Sequence, residues 1–187
     1  MLIRKSWLAL LLVALPLASC GNTASDFQAS HASRVKLYTG SKALTKDSAL
    51  VIVGRVSGQM VSQDITPGFD FTLSTFTVGQ VLKGRQVVEP GASVVVRQVG
   101  SSSQVPPTAL MEPETDYLLY LTPSGLPAPL DAQYYVTGGN AGLYEGLTSN
   151  GLQANLVGGQ DQLFKQVDAT PGEPLPPEVN TSDATGS

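Results

Sequence analysis

The chain is poor in the residues that most often carry chemistry. It has one cysteine, one histidine and one tryptophan in 187 residues. A single cysteine excludes any disulfide within the chain, so a fold must hold by its core alone. One imidazole and one thiolate cannot supply the three or four ligands of a zinc site. His31 lies in a polar stretch without apolar periodicity. A serine–histidine hydrolase would need that imidazole fixed beside a nucleophile by a third group, so His31 reads as a linker residue. Charge is also sparse, at 14% of residues, with 11 bases against 15 acids and a net of −4. The acidic balance and the lack of a basic stripe argue against nucleic acid as a partner. The one strongly apolar stretch, residues 7–17, is about eleven residues and too short to cross a bilayer as a permanent helix. No internal repeat of useful length is visible.

What is present begins at the N-terminus. Arg4 and Lys5 precede the apolar stretch, and Leu17-Ala18-Ser19-Cys20 follows it. The pattern of positive start, short apolar core and small residues is that of an export signal. With the cysteine it resembles the signal of a bacterial lipoprotein. The resemblance implies cleavage between Ser19 and Cys20 and acylation of Cys20, by a thioether-linked diacylglycerol and, in many bacteria, a third chain such as palmitate on the new amine. Two or more acyl chains anchor stably where one does not, at about 0.8 kcal/mol per buried CH₂. Loss of residues 1–19 removes two bases and no acid. The mature surface is then more acidic, and anionic head groups give it no attraction. The expected location is the cell envelope, on the extracytoplasmic face. Gly21 in place of an aspartate after the cysteine favours the outer membrane in an organism that has one.

Four regions follow: a signal peptide over 1–19, the lipidated Cys20 with a flexible tether over 20–34, a domain over 35–167, and a tail over 168–187. The tether is small and polar, with a reach on the order of 20 Å. The tail holds Pro171, Pro174, Pro176 and Pro177 with four acids and no base, and its low apolar content predicts disorder. About 133 residues in between suffice for one core without disulfides.

The domain reads as mainly β. Residues 50–56 open as a continuous apolar run and predict a central strand. Phe69, Phe71 and Leu73 share one parity; Phe76, Val78, Gln80 and Leu82 share the other. That slip predicts a β-bulge or a strong bend near Ser74 and Thr75 in one long strand. Further strands are predicted at 93–99 after a Pro90-Gly91 turn, at 117–121, at 134–137, and more weakly at 143–144 and 152–157 after Ser149-Asn150-Gly151. Two short helices are predicted, over 41–47 and over 160–167, where Leu163, Phe164 and Val167 fall at helical spacing. Short strands at such spacings suggest a small barrel or sandwich.

The succession Ala49-Leu50-Val51-Ile52-Val53-Gly54-Arg55-Val56, Val78-Gly79-Gln80-Val81-Leu82-Lys83-Gly84, residues 90–96, residues 113–121 and Gly138-Gly139-Asn140-Ala141-Gly142 is similar to a widespread group of exported, mostly uncharacterised bacterial proteins. The resemblance spans roughly residues 36–143. It implies a small OB-like β-barrel, closed or partly open, related to the netrin module and the tissue inhibitors of metalloproteinases. No catalytic residue travels with it. The inhibitors chelate a protease zinc through the amine and carbonyl of a disulfide-held N-terminal cysteine. Here no such disulfide can form and Cys20 is expected to be acylated, so that mechanism does not transfer.

Glu112, Glu114, Asp116 and Asp131 could meet a hard cation, but lack calcium-loop spacing and read as a solvated turn around Pro113. The glycine-rich 138–142 segment could cradle a phosphate, but a strand-like Leu143-Tyr144 follows it, so a tight turn with positive φ is expected. Tyr117, Tyr120, Tyr134 and Tyr135 could form a stacking platform, but alternation puts each pair on opposite faces. Loops 66–69 and 99–108 are the best placed for recognition; the plainer reading of the second is a disordered connector. The expectation is a binding or interaction module rather than an enzyme, with no cofactor, contacting an envelope protein or cell-wall component. An inhibitor of extracellular hydrolases, acting through a barrel loop, is the alternative.

Overall fold

The computed structural model describes residues 36–104, 106–147 and 161–186. The signal, Cys20, the tether with His31, and the expected strand at 152–157 lie outside the described residues. The fold is mainly β, as expected: among the described residues one helix, α1 (Ser41–Asp47), precedes eight strands. These are β1 (Leu50–Ser62), β2 (Phe71–Lys83), β3 (Ser93–Val99), β4 (Asp116–Pro123), β5 (Gln133–Val136), β6 (Leu143–Gly146), β7 (Leu163–Gln166) and β8 (Glu178–Asn180). All pair in one sheet of order β1-β2-β3-β5-β4-β6-β7-β8, and β1 also pairs with β4. The first five strands therefore form a ring, antiparallel except for β3 beside β5. The contacts of β5 span only three residues on each side, so the ring is partly open there.

The interior of the ring is filled by alternate residues. Leu50, Ile52 and Val56 of β1 meet Phe76 and Val78 of β2, Val94 and Val96 of β3, and Leu119 and Leu121 of β4. The intervening residues Val51, Val53, Leu118 and Tyr120 form a second core with Tyr38, Leu44, Tyr144 and Phe164. Strands β1 and β4 are thus buried on both faces, which is why 50–56 carries no polar alternation. Gly54 lies at the closest approach within the ring. A Cβ there would fall 2.1 Å from the Thr77 carbonyl oxygen and 2.7 Å from the Phe76 ring.

The second core corrects the expectation of a disordered tail. Residues 168–186 turn back over the outer face of β1 and β4, bringing Leu175, Val179 and Ala184 into that core. The Tyr120 hydroxyl donates to the Ala184 carbonyl at 2.6 Å, and the Tyr38 amide donates to Glu173 Oε1 at 2.9 Å. Low average hydropathy hid three well-spaced apolar residues that meet an apolar surface the ring leaves bare. The domain accordingly runs past 167.

The helix expected at 160–167 is also corrected. Residues 163–166 form β7, between β6 and β8, with Phe164 and Gln166 buried and Leu163 and Lys165 exposed. Leu163, Phe164 and Val167 suit helical spacing, but two flanking strands offer backbone partners that an eight-residue isolated helix lacks. The helix at 41–47 is present with the expected bounds. The Lys83 ammonium donates to the Thr45 and Ser48 carbonyls at 2.7 and 2.6 Å, closing its C-terminal end.

A register shift lies at the expected level, opposite Thr75 and Phe76, but the extra residue is on β1 rather than on β2. Strand β2 keeps its parity from Thr72 through Ser74, Phe76 and Val78, while the register with β1 skips Ser57, opposite Thr75 and Phe76. Further skips occur at Gly79 and Leu82. Phe71 and Leu73 simply occupy the outer face, which is covered at this end.

Candidate functional site

Strands β2 and β3 meet with Phe71 opposite Val99, so the loop before β2 and the segment after β3 leave the ring at the same end. These are the two loops that the sequence singles out. They are fastened together around Asp70, whose residue is buried. Its carboxylate accepts from Gln63 Nε2 at 2.7 Å, Ser101 Oγ at 2.6 Å and Ser103 Oγ at 3.3 Å. Its amide donates to Gln104 Oε1 at 3.0 Å, and Gln104 Nε2 donates to the Gly68 carbonyl at 3.1 Å. The Gly68 amide donates in turn to Gln63 Oε1 at 3.1 Å. The Ser101 hydroxyl, then the Gln63 amide, hold the Asp70 carboxyl below the usual carboxylate range. The expected disordered connector is corrected for the described residues of 99–108: a carboxylate with three donors orders both loops.

A second fastening lies on the outer face. Arg97 of β3 has a fully buried side chain. Its two terminal nitrogens donate to the two carboxylate oxygens of Asp64 at 2.7 Å each, and Nε donates to Gln133 Oε1 at 2.7 Å. Its guanidinium carbon stands 5.0 Å from the centre of the Phe71 ring. This bidentate, stacked geometry suits arginine and not lysine. The Arg97 hydrogen bonds hold the Asp64 carboxyl below its ordinary value. Across the sheet, Met60 of β1, Leu73 of β2, Arg97 of β3 and Tyr135 of β5 stand in register. Phe69 packs edge-on against Phe71 at 5.4 Å.

The result is an ordered rim with apolar groups held outward: Phe69 and Ile65 are each 38% exposed and Met60 is 62% exposed. Ordered loops that present apolar side chains suit recognition, because little conformational entropy remains to be lost on contact.

The other candidates fall apart as sites. Asp116 is held bidentately by Arg55, at 2.7 and 2.9 Å, while Glu112 and Glu114 are exposed and Asp131 lies in the β4–β5 loop, also exposed. Their carboxylates do not converge. Gly138 and Gly139 both adopt φ 67°, and β6 follows, so the segment is the expected turn. A Cβ at Gly138 would meet the Tyr38 ring at 2.6 Å. The tyrosines divide as alternation predicts: Tyr117 faces the ring interior and Tyr120 the second core. Burial pushes the Tyr117 phenol up to about 12 and raises that of Tyr120 as well. Tyr134 packs against the ring interior, which leaves Tyr135 alone on the outer face. A shallow cleft of about 330 Å³, lined by Gln80, Arg85, Asp161 and Ser182 among others, opens elsewhere.

Sequence reasoning missed Asp64, Asp70 and Arg97. One signal was available: Arg97 interrupts a valine-rich strand, and a charge inside such a run implies a buried partner. Among the described residues no helix is long and apolar enough to cross a membrane. A comparison with known protein families finds no match. No curated protein matches the chain either.

Proposed function

We propose that the chain is a lipid-anchored binding module of the bacterial cell envelope, whose rim at the β1–β2 loop contacts an envelope protein or a cell-wall component. The acylated Cys20 moors it on the extracytoplasmic side, and its work is recognition rather than catalysis. The observation that carries this reading is the Asp70 network, which fixes two loops together while Phe69 and Ile65 stay outward. The five-stranded ring supports the OB-like resemblance, and in OB barrels the β2–β3 face and the loop between the first two strands are common ligand surfaces. The acidic balance of the chain favours a partner other than nucleic acid.

The test is capture of envelope components by the wild-type chain and by Phe69→Asp and Ile65→Asp, with Val87→Asp as an exposed control away from the rim. The expected outcome is loss of captured species for the rim variants alone. An unchanged captured set would contradict the proposal. An ordered, outward loop also suits the hydrolase-inhibitor reading. Unchanged turnover of envelope proteases at micromolar chain would remove that alternative and leave the binding role standing.

A further inference from the structure

The last five residues of β1, Gly58 to Ser62, pair on one side only. Strand β4 follows β1 from Leu50 to Arg55 and reaches Val56 through Thr115 and Glu114. Among the described residues, no backbone hydrogen bond beyond Val56 joins β1 to any strand but β2. The extra residue Ser57 marks the point at which β1 parts from β4. From there Gly58, Gln59, Met60, Val61 and Ser62 present a backbone edge with no second strand beside it, while the Gln59 side chain donates to the Met111 carbonyl at 2.6 Å and to Ser74 Oγ at 2.9 Å. Met60 is 62% and Val61 51% exposed. Natural edges are usually blunted by lysine, proline or inward-pointing charge. This edge carries no charge and no proline. The nearest acid beyond it, Asp64, is already paired with Arg97.

We propose that this edge pairs antiparallel with the same edge of a second copy of the chain. The reading goes beyond the rim's role in binding and stands whatever the rim contacts. A second copy suits the edge because two acidic chains can approach here without opposing like charges. Symmetry limits the register. A two-fold axis perpendicular to the sheet keeps outer-face residues opposite outer-face residues, so paired positions share parity and the axis passes midway between the two copies of one residue. Because Ser57 stands outside the β1–β2 ladder, centring on Met60 is the choice that keeps all five paired residues of each chain within 58–62. Met60 then faces Met60, Gly58 faces Ser62, and Gln59 faces Val61. The contact is isologous and closes as a dimer, joining two rings into one sheet.

The test uses the full chain carrying Cys20→Ser, so that any added thiol is the only one. Facing positions of an antiparallel pair hold Cβ atoms within disulfide reach. Under mild oxidation, Met60→Cys is expected to form dimers at least about tenfold faster than Val87→Cys, because pairing raises the effective concentration of the two thiols. The chain without an added thiol is expected to sediment as a reversible dimer, and Met60→Lys/Val61→Lys, with both changes at exposed positions, as a monomer. Crosslinking of Met60→Cys no faster than that of Val87→Cys, or a sedimentation profile unmoved by the lysines, would overturn the proposal.

Discussion

Residues 168–186 are an integral part of the fold, and their removal should destabilise it severely. Leu175 is 7%, Val179 3% and Ala184 0% exposed, all within the second core. Burying a leucine or valine side chain stabilises by about 1.5–3 kcal/mol each. Truncation at 167 also uncovers Phe164 and the Tyr120 hydroxyl, whose acceptor is the Ala184 carbonyl. With that cover gone the hydroxyl meets water, and the loss of its hydrogen bond costs about 0.5–1.5 kcal/mol net. The total, above about 5 kcal/mol, rivals the whole stability of an ordinary domain. A truncated chain is therefore expected to be unfolded at room temperature. Two milder substitutions keep the test quantitative: Leu175→Ala should cost about 2–3 kcal/mol, and Tyr120→Phe about 1 kcal/mol. Urea unfolding followed by circular dichroism measures all three. Wild-type midpoints for the truncation and for Leu175→Ala would refute the reasoning and restore a free tail.

Two further predictions concern the ring and the rim. Gly54→Ala places a methyl against the Thr77 carbonyl and the Phe76 ring, and overpacking of this kind costs about 1–3 kcal/mol or more; a midpoint equal to wild type would contradict the close approach. The Asp64 and Asp70 carboxyls are both held below their unfolded value of 3.8, so they bind protons less readily in the folded state. Their contribution is complete above that value and is lost as the pH falls through their lower folded values. Amides at Gly68, Asp70 and Gln104 should accordingly exchange faster on acidification below about pH 4, after correction for intrinsic rates; a pH-independent protection would contradict the network.

The sequence made some of this legible and hid the rest for physical reasons. The run at 50–56 predicted a central strand because both its faces are buried, and the glycines at 138–142 predicted a turn because only positive φ lets the chain reverse beside Tyr38. Helix α1 was readable over its full length. The tail was misread because disorder is judged from average composition, whereas docking needs only Leu175, Val179 and Ala184 at the right places on an existing surface. Residues 163–166 were misread because spacing over so short a segment does not separate helix from strand; neighbouring strands decide. The parity change in β2 suggests a bulge or bend in that strand, whereas Phe71 and Leu73 are buried on the outer face, Phe71 beneath the Arg97 guanidinium and against Phe69. That cover depends on pairing β2 with β3 and on holding Arg97 in place through Asp64, a long-range arrangement with no local signature. For the candidate site, composition points to loops 66–69 and 99–108, which the fold brings together at one end of the ring, but it gives no sign of the carboxylates that fasten them.

The proposed mooring of the folded module by acyl chains on Cys20 is tested most directly by mass spectrometry of the native N-terminus. The account predicts a chain that begins at Cys20 with a diacylglycerol on its sulfur. A free thiol at Cys20, or a chain still beginning at Met1, would contradict it.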